Sequence, residues 1–238
     1  MRLDKYLSSS GVGSRRDIKQ LLKGSTVTVN GKPVKDPSMH IDESKDEVMV
    51  ENRRIIYREY IYLMLNKPQG YVSATYDKHL PIVCSLIPEE YAHFEAFPVG
   101  RLDIDTEGLL VLTNDGALSH RVLSPRSHVD KTYFVRCEKP LRDEDKLAFL
   151  EGVTLDDGYR TMPARLTIET NPTECTLIIQ EGKFHQVKRM MEAIGNKVTY
   201  LKRIKMGSLN LDSDLEPGQI RELTDLEVTL LEKKSTEE

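Results

Sequence analysis

The sequence predicts an α+β protein, with a small αα-hairpin module at the amino terminus and a mixed, mainly antiparallel sheet in the remainder. In the first part, apolar side chains recur at helical spacing in two short segments, and an Asn30-Gly31 hairpin signal follows them. From residue 61 onward, strand-like and helix-like runs are joined by turns rather than by regular strand–helix–strand units. That organisation favours a mixed sheet over a doubly wound parallel one.

The amino-terminal module is predicted to contain two helices and a hairpin. Apolar spacing predicts a first helix over residues 2–9, and Ser14 and Asp17 are spaced as a capping box that opens a second helix. Gly24 ends that helix, and residues 26–29 are strand-like. The basic residues of the two helices are Arg2, Lys5, Arg15, Arg16, Lys19 and Lys23.

Charge is distributed unevenly along the chain. The net charge is −4, yet residues 1–35 hold eight Lys/Arg and two Asp/Glu, a local balance of +6 that leaves −10 for the remainder. Because electrostatic binding depends on the local patch, a basic module on an acidic body indicates a nucleic-acid partner despite the acidic pI.

Composition and cysteine spacing predict a cytoplasmic globular protein without a metal site. Hydrophobic residues make up 39% and charged residues 30% of the chain, which fits a folded protein with a charged surface. Cys84, Cys137 and Cys175 lie far apart without metal-ligand spacing, so we expect reduced thiols. No apolar run reaches the length of a membrane span, and the amino terminus opens no signal segment.

Beyond the module, periodicity predicts the main elements of the sheet. Strands are predicted at residues 61–65, 108–113, 131–135 and 176–179, and helices at residues 141–150 and 185–194. We place the domain boundary in the charged run 51–60, which gives domains at residues 1–60 and 61–232. The tail, residues 233–238, lacks apolar side chains and is predicted to be disordered.

The most informative stretch of the chain is residues 100–110, Gly-Arg-Leu-Asp-Ile-Asp-Thr-Glu-Gly-Leu-Leu. It places Arg101, Asp103 and Asp105 just before the apolar run 108–113, which is typical of a buried strand. Charged residues at the start of a strand tend to lie at the rim of a sheet, where a site can form. This pattern indicates a functional site at that rim.

Several stretches, in order, resemble the RNA pseudouridine synthases, and within them the ribosomal small-subunit pseudouridine synthase A family. The matching stretches are Asn66-Lys67-Pro68-Gln69-Gly70-Tyr71, residues 100–110, Ser124-Pro125-Arg126, Lys131-Thr132-Tyr133, residues 181–191 and residues 201–207. The first fifty residues are similar to an S4 RNA-binding domain, with an Arg-Leu-Asp-Lys-Tyr-Leu opening and a Val-Asn-Gly-Lys hairpin. The resemblance thus extends over nearly the whole chain.

The resemblance implies a role for each matching residue. Asp103 would be the catalytic carboxylate, and Lys188 the cation that keeps it ionised in a shielded site. Tyr133 would pack against the uracil, Leu201 would form an apolar wall of the pocket, and Arg101 would fill the gap left by the flipped base. Because uridine isomerisation involves neither redox chemistry nor hydrolysis, the resemblance implies no cofactor and no metal.

Several residues keep a second interpretation. Asp105 lies on the same side of an extended segment as Asp103, and we interpret it as a supporting carboxylate. Arg101 would equally fit a phosphate contact or a salt bridge to Asp105 or Glu107. Arg189 points about 100° away from Lys188 on a helix and is expected to contact RNA phosphate. His185 is interpreted as structural, because a lone histidine is more often structural than functional.

The resemblance also implies the substrate. The expected substrate is a specific uridine in 16S ribosomal RNA, within a small-subunit assembly intermediate, and we expect the protein to act as a monomer without a membrane partner. A large-subunit 23S target and a non-catalytic RNA-binding assembly factor are the alternatives. The intact residues 100–103, Tyr133 and Lys188 argue against the non-catalytic alternative.

Overall fold

A computed structural model describes residues 1–24, 26–124 and 127–232. The tail that is predicted to be disordered, residues 233–238, lies outside the described residues, as do Pro125 and Arg126 of the predicted Ser-Pro-Arg motif. The chain divides into two compact units, one formed by Met1–Ile61 with Ile87–Ala96, and the other by Tyr62–Leu86 with the chain from Phe97 onward. No pattern in the sequence indicates that Ile87–Ala96 belongs with the first unit, and the predicted domain limits stay a prediction.

The first unit packs two helices on a four-stranded antiparallel sheet. Its elements are α1 (Leu3–Ser9), α2 (Arg15–Lys23), β1 (Val27–Val29), β2 (Lys32–Pro33), β3 (Val48–Val50), β4 (Arg53–Ile55) and the short helix α3 (Glu89–Ala92). The strands are ordered β2-β1-β3-β4, and every adjacent pair is antiparallel. Both predicted helices and the predicted hairpin are therefore present.

Local sequence explains how these elements begin and end. The Ser14 hydroxyl accepts a hydrogen bond from the Asp17 amide while the Asp17 carboxylate accepts one from the Ser14 amide, which completes the capping box of α2. Glu51 and Asn52, which the sequence places in a charged boundary segment, form a tight hairpin turn between β3 and β4. Both have positive φ angles, 49° and 66°, which suits a hairpin turn.

A compact apolar core fills the first unit. The Tyr6 hydroxyl donates to the Ile55 carbonyl at 2.8 Å, so α1 is tied to β4 at the edge of this core. The buried members of the core are Leu3, Tyr6, Leu7, Ile18, Leu22, Val27, Val29, Ile41, Val48 and Val50. Burying the apolar face of each helix leaves the basic residues on the outer surface.

The second unit is built on a nine-stranded mixed sheet. Its strands are β5 (Tyr62–Lys67), β6 (Phe97–Pro98), β7 (Glu107–Thr113), β8 (Lys131–Cys137), β9 (Arg165–Ile168), β10 (Glu174–Ile179), β11 (Val198–Met206), β12 (Leu209–Asn210) and β13 (Ile220–Glu222). The main order is β13-β5-β7-β11-β8-β10-β9, with β6 paired to β7 and β12 to β11. Among these named strands of the described chain, β7 and β11 form the parallel pair and the other pairs are antiparallel. The predicted α+β class with a mainly antiparallel sheet is confirmed.

Helices and loops complete the second unit around this sheet. The helices are α4 (Gly116–Leu123), α5 (Asp143–Glu151), α6 (Gln186–Ala193) and α7 (Asp225–Leu230), and a short 3₁₀ helix spans Val83–Leu86. The predicted helices at 141–150 and 185–194 correspond to α5 and α6. A core of buried side chains lies between β7, α4 and the segments that follow β11.

The parallel pair of β7 and β11 fixes the geometry where β7 begins. Gly108 pairs with Arg203, and an added Cβ at Gly108 would lie only 2.2 Å from the Arg203 carbonyl oxygen. Gly108 also has a φ angle of +102°, which L side chains rarely adopt. Glycine is therefore required here for both conformation and space.

We expect Gly108→Ala to destabilise the fold more than Gly195→Ala. Both glycines have positive φ angles, but an added Cβ at Gly195 meets no atom within 4 Å. Backbone strain should cost each variant about 1–2 kcal/mol, and the steric clash should cost Gly108→Ala about 1–3 kcal/mol more. Urea unfolding of the two variants measures the difference, and equal free energies of unfolding would contradict the close approach of β7 and β11.

Candidate active site

The candidate site is built on the loop of residues 99–106, which joins β6 to β7. The Val99 amide donates to the Val111 carbonyl at 2.8 Å, and the Leu102 amide donates to the Ser73 hydroxyl at 3.0 Å. The Thr106 amide donates to the Asp103 carbonyl at 3.1 Å, which closes a turn. These bonds fix the backbone of Asp103, so its side chain is presented from a defined position.

Lys67, the last residue of β5, holds the same loop from inside. Its side chain is fully buried, and its ammonium group donates to the carbonyls of Pro68 (3.0 Å), Asp103 (3.0 Å), Ile104 (3.4 Å) and Thr106 (2.9 Å). Burial lowers the pKa of Lys67 to about 8, against the opposing effect of the carboxylates nearby. No role for this residue was predicted from the sequence, although a lysine at the end of an apolar strand and before a proline is an unusual signal.

Asp103, Asp105 and Lys188 form one cluster of charges. The Lys188 ammonium nitrogen lies 3.2 Å from Asp103 Oδ2 and 2.5 Å from Asp105 Oδ1. The Asp103 side chain is 27% exposed and that of Asp105 is 60% exposed, so the residue that matches the family motif is the more shielded of the two carboxylates. Lys188 therefore pairs with both carboxylates rather than with Asp103 alone.

Within this cluster, Lys188 and Asp105 stabilise each other's charged forms. Burial lowers the pKa of Lys188, but hydrogen bonding to Asp105 and the negative charge of Asp103 outweigh burial and raise it above its usual value. Burial raises the pKa of Asp105, and the hydrogen bond and charge of Lys188 outweigh this and lower it. Lys188 thus remains a cation, and Asp105 an anion, at neutral pH.

His185 belongs to the site, which departs from its interpretation as a structural residue. Its Nε2 atom lies 3.7 Å from Asp103 Oδ1. It occupies the N-cap position of α6 with a left-handed backbone, φ 48° and ψ 32°. The signal in the sequence was its position beside Lys188 within the matching stretch of residues 181–191.

Packing of α6 against the sheet explains why Lys188 reaches the loop. Val187, Met190 and Met191 are buried, and Cys137 Sγ on β8 lies 3.8 Å from Met191 Sδ. With the apolar face of the helix fixed in this way, Lys188, next to Val187 in the chain, projects toward the carboxylates of the loop.

Tyr133 and Leu201 lie on the sheet beside the loop. In the pairing of β8 with β11, Tyr133 is opposite Arg203, which in turn is opposite Gly108 of β7. Tyr133 is 7% exposed and Leu201 is 5% exposed. Because Leu201 is two residues before Arg203 on the same strand, its side chain lies on the same face of the sheet as that of Tyr133. Leu201 therefore lies on the strand next to β7, and Tyr133 lies one strand further away.

The two arginines predicted near the site have different surroundings. Arg101 is exposed, and no hydrogen bond or ion pair joins it to another residue in the described part of the chain. Its alternative salt bridge to Asp105 or Glu107 is not formed, since Asp105 pairs with Lys188 and Glu107 accepts from the Tyr200 hydroxyl at 2.7 Å.

Arg189 is held by two carboxylates. One guanidinium nitrogen lies 2.5 Å from Asp156 and 2.7 Å from Asp157. Hydrogen bonds to Asp157 and Asp156, together with the negative charges of these carboxylates, raise the pKa of Arg189. A phosphate contact by Arg189, as predicted from the sequence, would have to displace both of them.

The six basic residues that the sequence places on the first two helices are all exposed. Arg2 is bound to the Asp4 carboxylate through hydrogen bonds of 3.1 and 2.8 Å. The remaining five are exposed and have no side-chain hydrogen bond or ion pair with the described residues: Lys5, Arg15, Arg16, Lys19 and Lys23. Their charge is therefore available to an external anion.

Residues 1–24, 26–124 and 127–232 were searched for metal sites and for membrane-spanning helices. Within these ranges no group of three or more His, Cys, Asp or Glu side chains could hold a metal ion. No helix there is long and apolar enough to cross a membrane.

We expect Lys67→Met to loosen the loop of residues 99–106. The substitution removes the donor shared by three loop carbonyls, and leaving a buried carbonyl unpaired costs about 1–3 kcal/mol. Amide hydrogen exchange should accelerate at Gly70, which donates to the Ile104 carbonyl, and at Thr106. The exposed Lys197→Met is the matched control. Unchanged exchange at both amides would show that Lys67 does not hold the loop.

Comparisons with known proteins agree with this geometry. The family model for RNA pseudouridylate synthase matches residues 61–193, and the model for the S4 domain matches residues 1–48. An RNA pseudouridine synthase of Bacillus subtilis is 50% identical over 97% of this chain and 98% of its own length. The ribosomal small subunit pseudouridine synthase A of Escherichia coli is 42% identical over 96% of this chain and 98% of its own.

The fold shows the same relationship. A crystal structure of a pseudouridylate synthase superimposes with a TM-score of 0.69 at 38% sequence identity, covering 97% of this chain and 99% of that one. Sequence and fold thus agree over nearly the whole length. The chain belongs to the RNA pseudouridine synthase family and combines an S4 domain with the catalytic domain of an RNA pseudouridine synthase.

Proposed function

We propose that this enzyme converts a specific uridine of 16S ribosomal RNA to pseudouridine, acting as a monomer on a cytoplasmic small-subunit assembly intermediate. The observation on which the catalytic assignment depends is the Asp103–Lys188 ion pair on a loop fixed by Lys67. The 16S target is supported by the name of the relative from Escherichia coli, which is similar over nearly the full length of both chains.

The reaction is an isomerisation in which atoms are only rearranged. The bond between ribose C1′ and uracil N1 breaks, the detached base rotates, and C5 bonds to C1′. The proton on C5 is lost and N1 gains one, so no other reactant is consumed. The detached base must remain in the pocket while it turns.

Asp103 supplies the group that this chemistry lacks in water. A carboxylate beside the sugar either bonds to C1′ or removes a ribose proton to give a glycal, and it stabilises positive charge that develops at C1′. Lys188 provides the countercharge for this carboxylate at 3.2 Å, because burial of an unpaired charge is costly. Both routes need Asp103 as the anion.

Binding of the base uses the sheet and the loop. The bond between sugar and base is inaccessible within a folded RNA, so the uridine is extruded into the pocket. Tyr133 packs against the uracil and Leu201 forms the apolar wall. Arg101, exposed and unpaired within the described residues, fills the gap left in the RNA.

The S4 domain supplies affinity rather than chemistry. Its exposed basic side chains contact phosphates, and such contacts are salt-dependent and largely indifferent to sequence. Since the domain and the catalytic site belong to one chain, binding by the domain raises the effective concentration of RNA at the site.

Release of tritium from RNA that carries [5-³H]uridine tests the proposal directly, because the reaction removes the C5 proton. We expect release from 16S RNA in partly assembled small subunits and none from 23S RNA. Release from 23S RNA alone would favour the alternative large-subunit target, and release from neither would favour the non-catalytic assembly factor.

We expect Asp103→Asn to abolish tritium release while RNA binding persists. The amide keeps the size of the side chain but provides neither a nucleophile nor a base. Asp105→Asn is the matched control, since Asp105 also contacts Lys188 but is expected to retain activity. An active Asp103→Asn together with an inactive Asp105→Asn would identify Asp105 as the catalytic carboxylate.

Lys188→Met should reduce the rate strongly, whereas Lys188→Arg should reduce it little. Removal of one partner of a shielded ion pair leaves an uncompensated charge, and this costs about 3–5 kcal/mol in fully buried pairs. Because Asp103 is partly exposed, the loss should be smaller, on the order of ten- to a hundredfold in rate. A wild-type rate for Lys188→Met would show that the reaction does not need the ammonium group of Lys188.

Joint replacement of Arg15 and Arg16 by alanine should weaken RNA binding and flatten its salt dependence. Loss of two phosphate contacts should lower the slope of log K against log salt by about 1–2. Lys45→Ala is the control, since Lys45 is paired with Asp42 at 3.1 Å. Unchanged affinity and slope in the double variant would contradict a phosphate-binding role for α2.

A further inference from the structure

The side chain of Phe184, directly before His185 in the chain, is exposed to solvent. Its side chain is 74% exposed, the highest value among the large exposed hydrophobic residues in the described part of the chain. Burial of a phenylalanine contributes about 1.5–3 kcal/mol, so an aromatic ring left in water forgoes that stabilisation. A single exposed apolar residue is common, but this one is held in place by its neighbours.

The ring of Phe184 is stacked on the His185 imidazole. The ring centroids are 3.7 Å apart and the planes differ by 18°. His185 Nε2 lies 3.7 Å from Asp103 Oδ1. A continuous aromatic pair therefore extends from the catalytic carboxylate to a ring that faces solvent.

The backbone that presents this pair is strained and firmly supported. His185 has a left-handed conformation, φ 48°, which is uncommon for a residue other than glycine and has to be maintained by its surroundings. The support comes from Gln186, which is buried. Its side-chain oxygen accepts from the Lys183 amide at 2.8 Å, and its nitrogen donates to Glu181 Oε1 at 2.7 Å.

Glu181 is fixed in turn by two further bonds. Its Oε1 atom accepts from the Met162 amide at 2.9 Å, and its Oε2 atom accepts from the Tyr159 hydroxyl at 2.7 Å. The segment that presents Phe184 is thus locked by a network of buried and half-buried side chains. A loop of this kind is pre-organised, so a ligand can bind to it without an ordering cost.

We propose that Phe184, supported by His185, is a stacking platform for a nucleobase of the substrate RNA that flanks the target uridine. The inference rests on the proposed function and names an RNA contact for that site. An exposed, rigid ring accepts any base through its π face, and stacking of one base on an aromatic side chain contributes about 1–3 kcal/mol. Extrusion of the uridine breaks its stacking on both neighbours, so a neighbouring base becomes free to stack on the protein.

The charges around the ring agree with an RNA partner. Lys183, one residue earlier in the chain, is exposed, and its ammonium lies 4.6 Å from the centroid of the Tyr159 ring. It provides a positive charge beside the platform for the phosphate of the stacked nucleotide. Arg189, by contrast, is occupied by Asp156 and Asp157.

The test compares three substitutions of Phe184 in the full-length enzyme. Phe184→Tyr keeps the aromatic face, Phe184→Leu keeps the apolar bulk without it, and Phe184→Ala removes both. Leu147→Ala is the matched control, because Leu147 on α5 is 62% exposed. The readouts are the dissociation constant for small-subunit RNA, with and without its proteins, and the single-turnover rate of tritium release at subsaturating and saturating RNA.

We expect Phe184→Ala and Phe184→Leu to raise the dissociation constant for RNA, or to lower the rate at subsaturating RNA, by about 5- to 150-fold. This change corresponds to about 1–3 kcal/mol for one stacked base. Phe184→Tyr and Leu147→Ala should resemble the wild type. Retention of full activity by Phe184→Leu would overturn the platform, since apolar bulk alone would then suffice. A defect of Phe184→Ala only on particles, and not on protein-free RNA, would instead identify a ribosomal protein as the partner.

The two proposals fail in different ways. Equal behaviour of Phe184→Ala and Leu147→Ala with an active wild type would overturn the platform and leave the proposed function intact. A wild type that releases no tritium from either ribosomal RNA would overturn both. Thermal unfolding of each variant accompanies the measurement, and because Phe184 is exposed, the midpoints should agree within a few degrees.

Discussion

Two lysines hold a loop that carries two carboxylates at the start of a buried strand, and the site depends on this arrangement. Lys67 binds the carbonyls of the loop from inside, and Lys188 binds the side chains of Asp103 and Asp105 from outside. Lys67 thus holds the backbone of the loop, and Lys188 neutralises the carboxylates that the loop carries. Without Lys188, the two carboxylates would repel each other, and without Lys67, the loop carbonyls would be left unpaired. Either loss would favour a different loop conformation.

The sheet supplies the rigid frame on which this loop is mounted. Gly108 lets β7 approach β11 in parallel, and the antiparallel β8 then places Tyr133 in line with Arg203 across the same row. Elements far apart in sequence therefore meet at one rim, because strand pairing fixes their register. The helix α6 brings Lys188, and its N-cap residue His185, to the same loop.

Local patterns predicted much of the fold. The capping box at Ser14 and the apolar run before Thr113 depend on neighbours in sequence, so periodicity and turn chemistry suffice to find them. The pairing of β7 with β11 depends on register between distant segments, which periodicity does not encode. The hairpin at Glu51 was missed because charged residues in an exposed strand resemble a linker.

The site was predicted in part, for a related reason. Family motifs brought Asp103 and Lys188 together, but the carbonyls bound by Lys67 have no signature in the sequence, since backbone groups are the same at every position. The contact of His185 with Asp103 follows from a left-handed residue at the start of α6, which cannot be anticipated from helical periodicity. The pairing of Arg189 with Asp156 likewise depends on a distant loop.

The central claim is that Asp103 of this chain performs uridine isomerisation on the small subunit in the cell. Pseudouridine mapping of ribosomal RNA from cells that lack the protein, and from the same cells complemented with the wild type or with Asp103→Asn, tests it most directly. The account predicts that one pseudouridine of 16S RNA disappears in the deletion strain and returns only with the wild type. Its return with Asp103→Asn, or an unchanged map in the deletion strain, would contradict the account.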